Sequence, residues 1–298
     1  MLFLLVNALV MLTVGLIVSL LFGGRLARYG VGYQGLFMFC LIFGMGGAFV
    51  SLAISRWMAK VMMGVQVIDP ATASPAEQRL VETVQHLART AGLSTMPEVG
   101  IYNSPEINAF ATGPSRSRAL VAVSAGLLNN MRQPEIEGVL GHEMTHIVNG
   151  DMVTMTLIQG IVNAFAMFLA RVLAIALSQG SSRDENRGGN FFMEWILINL
   201  FQNVFLVLGS IVVFAFSRWR EFRADAGGAH LAGRENMISA LRALQRFHEG
   251  GADIAGQQQP AFQALKISGT TASWLGRIFA DHPPIEERIA RLENPTLG

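Results

Sequence analysis

His142, Glu143 and His146 stand in the pattern H-E-x-x-H within Gly141-His142-Glu143-Met144-Thr145-His146. Residues four apart on a helix lie one turn apart on the same face, so the two imidazoles can close on one cation. A catalytic zinc takes three protein ligands and keeps one position for water. Glu143 is set aside from the ligand pair, where it can take a proton from that water. The stretch therefore reads as two metal ligands and a general base. The bland alternative is a surface histidine pair beside a solvated glutamate.

The flanking residues favour a helix. Gln133-Pro134 is a helix start with proline at the first helical position, and Asn149-Gly150 is a stop. Ile136, Val139, Leu140 and Ile147 mark an apolar face between them. A third ligand must come from elsewhere in the chain. Glu221 and Asp225 are four apart, on a stretch free of Gly and Pro, and so share a helix face. A carboxylate ligand backed by a second carboxylate suits a zinc site, although a solvated charged face among arginines is also common. His282, held before Pro283-Pro284, is another candidate.

Composition indicates a membrane protein. Of 298 residues 51% are hydrophobic and 14% charged, against about 25% charged in a typical soluble protein. The net charge of +1 offers nothing to a nucleic acid. Cys40 is the one cysteine, which excludes a disulfide within the chain and a cysteine-ligated zinc. Four apolar runs, Leu2–Phe22, Leu36–Ile54, Met152–Leu177 and Trp195–Phe216, are each long enough to cross a bilayer core, which takes about 20 residues. The first lacks a basic leader and a clear small-residue cleavage site, so it reads as a retained span. The third carries Arg171, which can snorkel or face a neighbouring helix.

The runs pair into two hairpins. This divides the chain into a first transmembrane hairpin (1–54), a catalytic part with the H-E-x-x-H helix (55–151), a second hairpin (152–216) and a second catalytic part (217–298). The expected class is an α+β membrane protein with four transmembrane helices and a mostly helical catalytic part carrying a small β-sheet. Ser74-Pro75-Ala76-Glu77 is a capping box opening a helix with Leu80, Val84, Leu87 and Ala91 on one face and Gly92 at its end. Glu98–Tyr102, Ile107–Thr112 and Ala119–Ser124 then read as short strands. A small sheet beside a metal helix can offer its edge to an extended peptide, and Asn108-Ala109-Phe110 is the segment to expect there. After the fourth run the helix is expected to continue to Gly227, with Glu221 about one turn beyond the membrane interface. Arg234–His248 reads as a helix, Gly250–Pro260 as a flexible link, and Ser273–Ala280 and Pro284–Leu292 as short helices.

Together these motifs resemble the HtpX-type membrane zinc endopeptidases, kin to the type I CAAX prenyl proteases. The residues that carry the resemblance are His142-Glu143-x-x-His146, Asn149-Gly150-Asp151, Glu221-x-x-x-Asp225, Asn108-Ala109-Phe110-Ala111-Thr112-Gly113 and His282-Pro283-Pro284. The resemblance implies a zincin-like catalytic part and one zinc ion held by His142, His146 and Glu221. It implies Glu143 as the base, Asp225 as a partner behind the ligands, His282 as an aid to the transition state and Arg288 as an assistant in substrate binding. It further implies a bacterial inner membrane, a catalytic part facing the cytoplasm, and membrane proteins or peptides as substrates in quality control under stress. The stiffness of the Glu221 helix and the longer reach of glutamate agree with Glu221 as the third ligand.

Rival readings are a CAAX-type processing protease, a non-catalytic zinc-bound scaffold and a zinc transporter. Nothing in the sequence reads as a lipid-binding chamber. A structural zinc needs no base and is closed by four protein ligands. A transporter wants ligands inside its spans, where Arg171 is the one charge.

Two hairpins leave both catalytic parts on one side of the membrane. Single cysteines at Ser94 and Gly251, in a chain with Cys40 replaced by serine, should react with an impermeant thiol reagent from the same side of sealed vesicles. Labelling from opposite sides would mean that one apolar run does not cross.

Overall fold

The computed structural model describes residues 32–178, 187–255 and 282–294. The run Leu2–Phe22 and the expected helix Ser273–Ala280 lie outside the described residues. Most of the described chain is helical. The elements are α1 (Tyr33–Met62), β1 (Gln66–Val67), α2 (Pro75–Thr90), β2 (Glu98–Tyr102), β3 (Ala109–Thr112), β4 (Leu120–Ser124), α3 (Ala125–Asn130), α4 (Gln133–Asn149), α5 (Asp151–Ser178), α6 (Arg187–Ala232), α7 (Arg234–Ala255) and α8 (Ile285–Glu293). They fall into two compact units, one drawn from Met1–Ser51 and Thr156–Val213, the other from Leu52–Met155 and Phe214–Gly298.

In the first unit, three helices are long and apolar enough to cross a membrane: Gln34–Met62, Asp151–Leu177 and Phe192–Ala232, each counted with its extension beyond the unit. They contain the second, third and fourth apolar runs. Ile42, Phe43, Trp195 and Val212 are exposed on their surfaces, as side chains that face lipid are. α1 and α5 approach closely at Gly44, where an added Cβ would lie 2.6 Å from Ala164 Cα. Phe37 meets Phe168 edge-on at 5.7 Å between ring centroids. Arg171 lies 5.6 Å from the Phe39 ring centroid and donates from Nη1 to Met167 O at 3.1 Å. It faces a neighbouring helix, one of the two arrangements its sequence position allows.

The second unit carries the mixed sheet, in strand order β1-β2-β4-β3. β2 and β4 are parallel, with Glu98 opposite Leu120 and Tyr102 opposite Ser124. β3 is antiparallel to β4, with Ala109 opposite Val123 and Thr112 opposite Leu120. This leaves β3 at the sheet edge. β1 has two residues, too few to show a period in the sequence. It pairs Gln66 with Ile101 and Val67 with Gly100.

One face of the sheet (Val99, Val121, Val123) packs with Leu80, Val84 and Leu87 of α2 and Leu140, Met144 and Ile147 of α4 in a single buried core. The expected signals sit where these helices begin and end. Ser74 accepts from Glu77 N, and Glu77 Oε2 accepts from Ser74 N at 2.7 Å. α4 has Pro134 in its first turn and ends on Gly150 at φ 70°. Its start is tied down by Glu135, which is 2% exposed and accepts from Arg132 Nη2 at 2.7 Å and Arg246 Nη2 at 3.3 Å. Two helices run further than the sequence suggests. α6 passes Gly227 and stops before Gly233, whose φ is 95°. α7 passes through Gly250-Gly251 to Ala255, since glycine weakens a helix by about 1 kcal/mol each without ending it.

α4 and the last part of α6 meet at backbone distance. A Cβ on Gly228 would lie 2.9 Å from His142 N, and one on Gly227 would strike the Thr145 side chain. Backbone cannot yield as a side-chain tip can. Gly228→Val should therefore force the two helices apart and cost about 1–3 kcal/mol, seen as a lower melting temperature in detergent. Gly46→Ala, with nothing within 4 Å of its new Cβ, should melt close to the wild-type temperature. An unchanged melting temperature in Gly228→Val would show that the close contact does not hold the two helices.

Candidate metal centre

His142 and His146 sit one turn apart on the buried face of α4, and their Nε2 atoms are 3.1 Å apart. Glu221, from the far part of α6, completes a triangle with Oε2 3.3 Å from His142 Nε2 and Oε1 3.3 Å from His146 Nε2. Among the described residues this is the one group of three His, Cys, Asp or Glu side chains able to converge on a metal ion. The Glu221 carboxylate is 2% exposed, which rules out the alternative of a solvated charged face.

The tautomers follow from what stands behind each ring. His142 Nδ1 is 2.9 Å from Asp225 Oδ1, and His146 Nδ1 is 2.6 Å from Asp151 Oδ2. A carboxylate accepts and does not donate, so each Nδ1 carries a proton and each Nε2 of a neutral ring keeps a lone pair. Two such lone pairs at 3.1 Å, with a buried carboxylate beside them, repel unless a positive charge sits among them. Bonds of about 2.0–2.1 Å to a tetrahedral ion place donor atoms roughly 3.3 Å apart. The donor set and its spacing fit zinc.

Protons can serve instead of a cation. Burial opposes a charge on His142, but the hydrogen bonds to Asp225 and Glu221 outweigh it and raise its pKa from 6.5 to about 9. His146 is raised too, against burial, by Asp151 and Glu221. Metal and proton therefore compete for the same nitrogens.

The supports for these rings come from several elements. Arg288 of α8 is buried and holds Asp225 with both arms of its guanidinium, Nε to Oδ2 at 2.7 Å and Nη2 to Oδ1 at 2.6 Å. Burial lowers the Arg288 pKa, and Asp225 more than restores it. Arg288 reaches Glu221 Oε2 at 3.8 Å. Its two best donors are thus spent on Asp225, so it reads as a holder of the site more than as a contact for substrate. His282 has a side chain 60% exposed, with Nδ1 3.2 Å from Glu221 Oε2. Glu143 points elsewhere: its Oε2 accepts from Ala111 N–H of β3 at 2.9 Å. Asn108 adjoins that strand, with N donating to Ser124 Oγ at 3.1 Å. Ala109 and Phe110 lie on β3, and Phe110 packs on Tyr102 with centroids 5.7 Å apart.

The structure thus brings His142, His146, Glu221, Asp225, His282 and Arg288 together and sets Glu143 between them and the strand edge. Two contacts were not legible from spacing. Asp151, although part of the Asn149-Gly150-Asp151 motif, reaches His146 from beyond a helix stop, where helical periodicity no longer applies. The Glu143–Ala111 bond joins residues 32 positions apart.

The profile of peptidase family M48 matches residues 74–296. The chain is 51% identical over 300 residues to a "Protease HtpX homolog" of Bacillus subtilis (strain 168), covering 98% of this chain and 97% of that one. It is 47% identical over 295 residues to "Protease HtpX" of Thioalkalivibrio sulfidiphilus (strain HL-EbGR7), again covering 98% and 97%. Among solved structures it resembles the crystal structure of S. mikatae Ste24p with a TM-score of 0.62 at 17% identity. That match covers 97% of this chain and 65% of the other, and it is a likeness of fold.

A His pKa that rises on folding contributes stability that is complete below its ordinary 6.5 and lost as the pH passes about 9. Chelator-treated protein should therefore lose on the order of 3 kcal/mol across that window through His142 alone. Its melting temperature in detergent should fall with rising pH, whereas zinc-loaded protein should hold or gain as proton competition fades. A metal-free melting curve that is flat or rises between these pH values would contradict the charge balance drawn here.

Proposed function

The chain belongs to peptidase family M48 as a membrane-bound metalloprotease, and we propose that His142, His146 and Glu221 hold one zinc ion and that Glu143 is the general base. The observation that carries this reading is the buried triangle of donors 3.1–3.3 Å apart with a carboxylate beside it that is not one of its corners. When bound, zinc polarises the scissile carbonyl and lowers the pKa of a water. The chain's own residues do the rest. Asp151 and Asp225 keep the Nδ1 protons in place, so both rings offer Nε2. Arg288 fixes Asp225 and balances its charge. Glu143 takes the proton of the attacking water and passes it to the leaving amine. His282 is the exposed donor beside Glu221, placed to hydrogen-bond the oxyanion as it develops.

β3 is the strand that receives substrate in this reading. Its edge offers backbone groups to an extended peptide, with Asn108, Ala109 and Phe110 contributing at the start of the strand. Substrates are exposed segments of misfolded membrane proteins, removed in quality control under stress. The chain spans a bacterial inner membrane four times, with its catalytic part in the cytoplasm. Arg56, Lys60, Arg218, Arg220 and Arg223 on the catalytic side, against Arg25, Arg28, Arg183 and Arg187 on the other, support that orientation.

Three variants separate the roles, with bound zinc and peptide cleavage both measured. Glu143→Gln should keep its zinc and lose at least about 100-fold in rate. Glu221→Ala should largely empty the site, since two imidazoles alone hold the metal weakly. His282→Ala should keep zinc and lose rate. Full zinc in Glu221→Ala and none in His282→Ala would make this a three-histidine site.

A further inference from the structure

A cavity of about 700 Å³ opens at the end of α4. Arg116, Ser94, Thr95, Ser117, Val148 and Gly150 are among its walls, and no carboxylate side chain lines it. The Arg116 guanidinium lies over Gly150, where a Cβ would stand 3.5 Å from Nε and 3.7 Å from Nη2. Arg116 is exposed, and among the described residues no hydrogen bond or ion pair answers its charge. An unanswered guanidinium walled by hydroxyls suits an anionic oxygen group.

The cavity is walled by the residues that follow β3 in the chain. From Ala111, whose N–H meets Glu143, the chain runs through Thr112, Gly113 and Pro114 to Ser115 and Arg116. A peptide cleaved beside Glu143 and paired along the free edge of β3 must pass this turn. Antiparallel addition is the more stable pairing. It lays the residues N-terminal to the cleaved bond over the turn, at about 3.3 Å per residue. On the other side Gly150 is followed directly by Asp151, whose carboxylate supports His146. The cavity therefore adjoins both the strand edge and the metal helix, which favours a peptide over a lipid headgroup as its occupant.

We infer that the Arg116 cavity is a substrate subsite that selects an acidic residue about three to five positions N-terminal to the cleaved bond. This rests on the proposed function, with β3 as the substrate edge and the cleaved bond beside Glu143, whichever residue is the base.

The test uses full-length, zinc-loaded enzyme in detergent and internally quenched peptides of one frame, with Glu, Ala or Lys at each position before the bond. Wild type should prefer Glu to Lys by about 2–5-fold in kcat/KM at one of the expected positions, the upper range of an exposed ion pair. Arg116→Ala should flatten that preference and Arg116→Glu should invert it. Arg79→Glu, exposed on α2, should leave it unchanged. Binding of the same peptides to Glu143→Gln, followed by fluorescence anisotropy, reports the preference without turnover. An Arg116→Glu enzyme with the wild-type preference overturns the proposal. So does a charge preference that responds only C-terminal to the bond. A third overturning result is that, in a separate reconstituted assay, Arg116→Glu weakens association with phosphatidylglycerol vesicles relative to phosphatidylcholine while keeping the wild-type peptide preference, which would make the cavity a headgroup site. A Glu143→Gln enzyme that still cleaves would sink the base assignment while the Arg116 preference remained readable.

Discussion

Two imidazole nitrogens and a carboxylate pointed at one buried spot must be held there against their own repulsion. Most of the second unit can be understood as the means of holding them. Asp225 and Asp151 grip the far sides of the two rings, at 2.9 and 2.6 Å. Each carboxylate is itself buried and would be costly alone. Asp225 is balanced by the two-armed bond from Arg288. Asp151 lies in the first turn of α5, where the helix dipole favours a negative charge. The supports thus come from three elements other than the one carrying the histidines. A change in any of them is felt at Nε2 through ring orientation, before any ligand is lost.

The third corner comes from the part of α6 that lies in the second unit. No proline bends it, and the glycines at 227 and 228 let it meet α4 without side chains between them. Charge placement and close packing reinforce each other here. The helix that brings the carboxylate is also the one whose backbone sets the height of His142.

Much of this was legible in the sequence where the cause was local. The H-E-x-x-H spacing, Gly150 and the capping box at Ser74 each act within one or two turns and sit as their spacing predicts, while Pro134 stands one position later in its helix than expected. Glu221-x-x-x-Asp225 was ambiguous, because spacing alone does not tell a buried pair from a solvated one; burial at 2% decides it. The resemblance to HtpX-type proteases suggested Arg288 as a substrate contact, but only the folded chain shows its donors turned to Asp225. Asp151 stood in the Asn149-Gly150-Asp151 motif behind the resemblance, but its hold on His146 was not legible, since the left-handed turn at Gly150 resets the helical register. β1 was too short to read. The extension of α7 through two glycines shows the limit of a propensity argument where no stop conformation accompanies the glycine.

The edge strand shows how stability and accessibility are reconciled. A free strand edge invites pairing with any extended chain, a liability that proteins usually blunt with charge, proline or a covering element. β3 is four residues long and is followed by Gly113 and Pro114, which stop it from lengthening. Ala111 N–H, one of its outward donors, is occupied by Glu143. The same carboxylate thus has two partners to choose between: a strand amide when the edge is bare, and the attacking water in the proposed reaction. In the proposed reaction, a peptide pairing with β3 would compete for that amide and free the carboxylate where its scissile bond arrives. Shielding the edge and holding the Glu143 carboxylate are one hydrogen bond, and exchanging it for strand pairing would couple substrate binding to proton transfer.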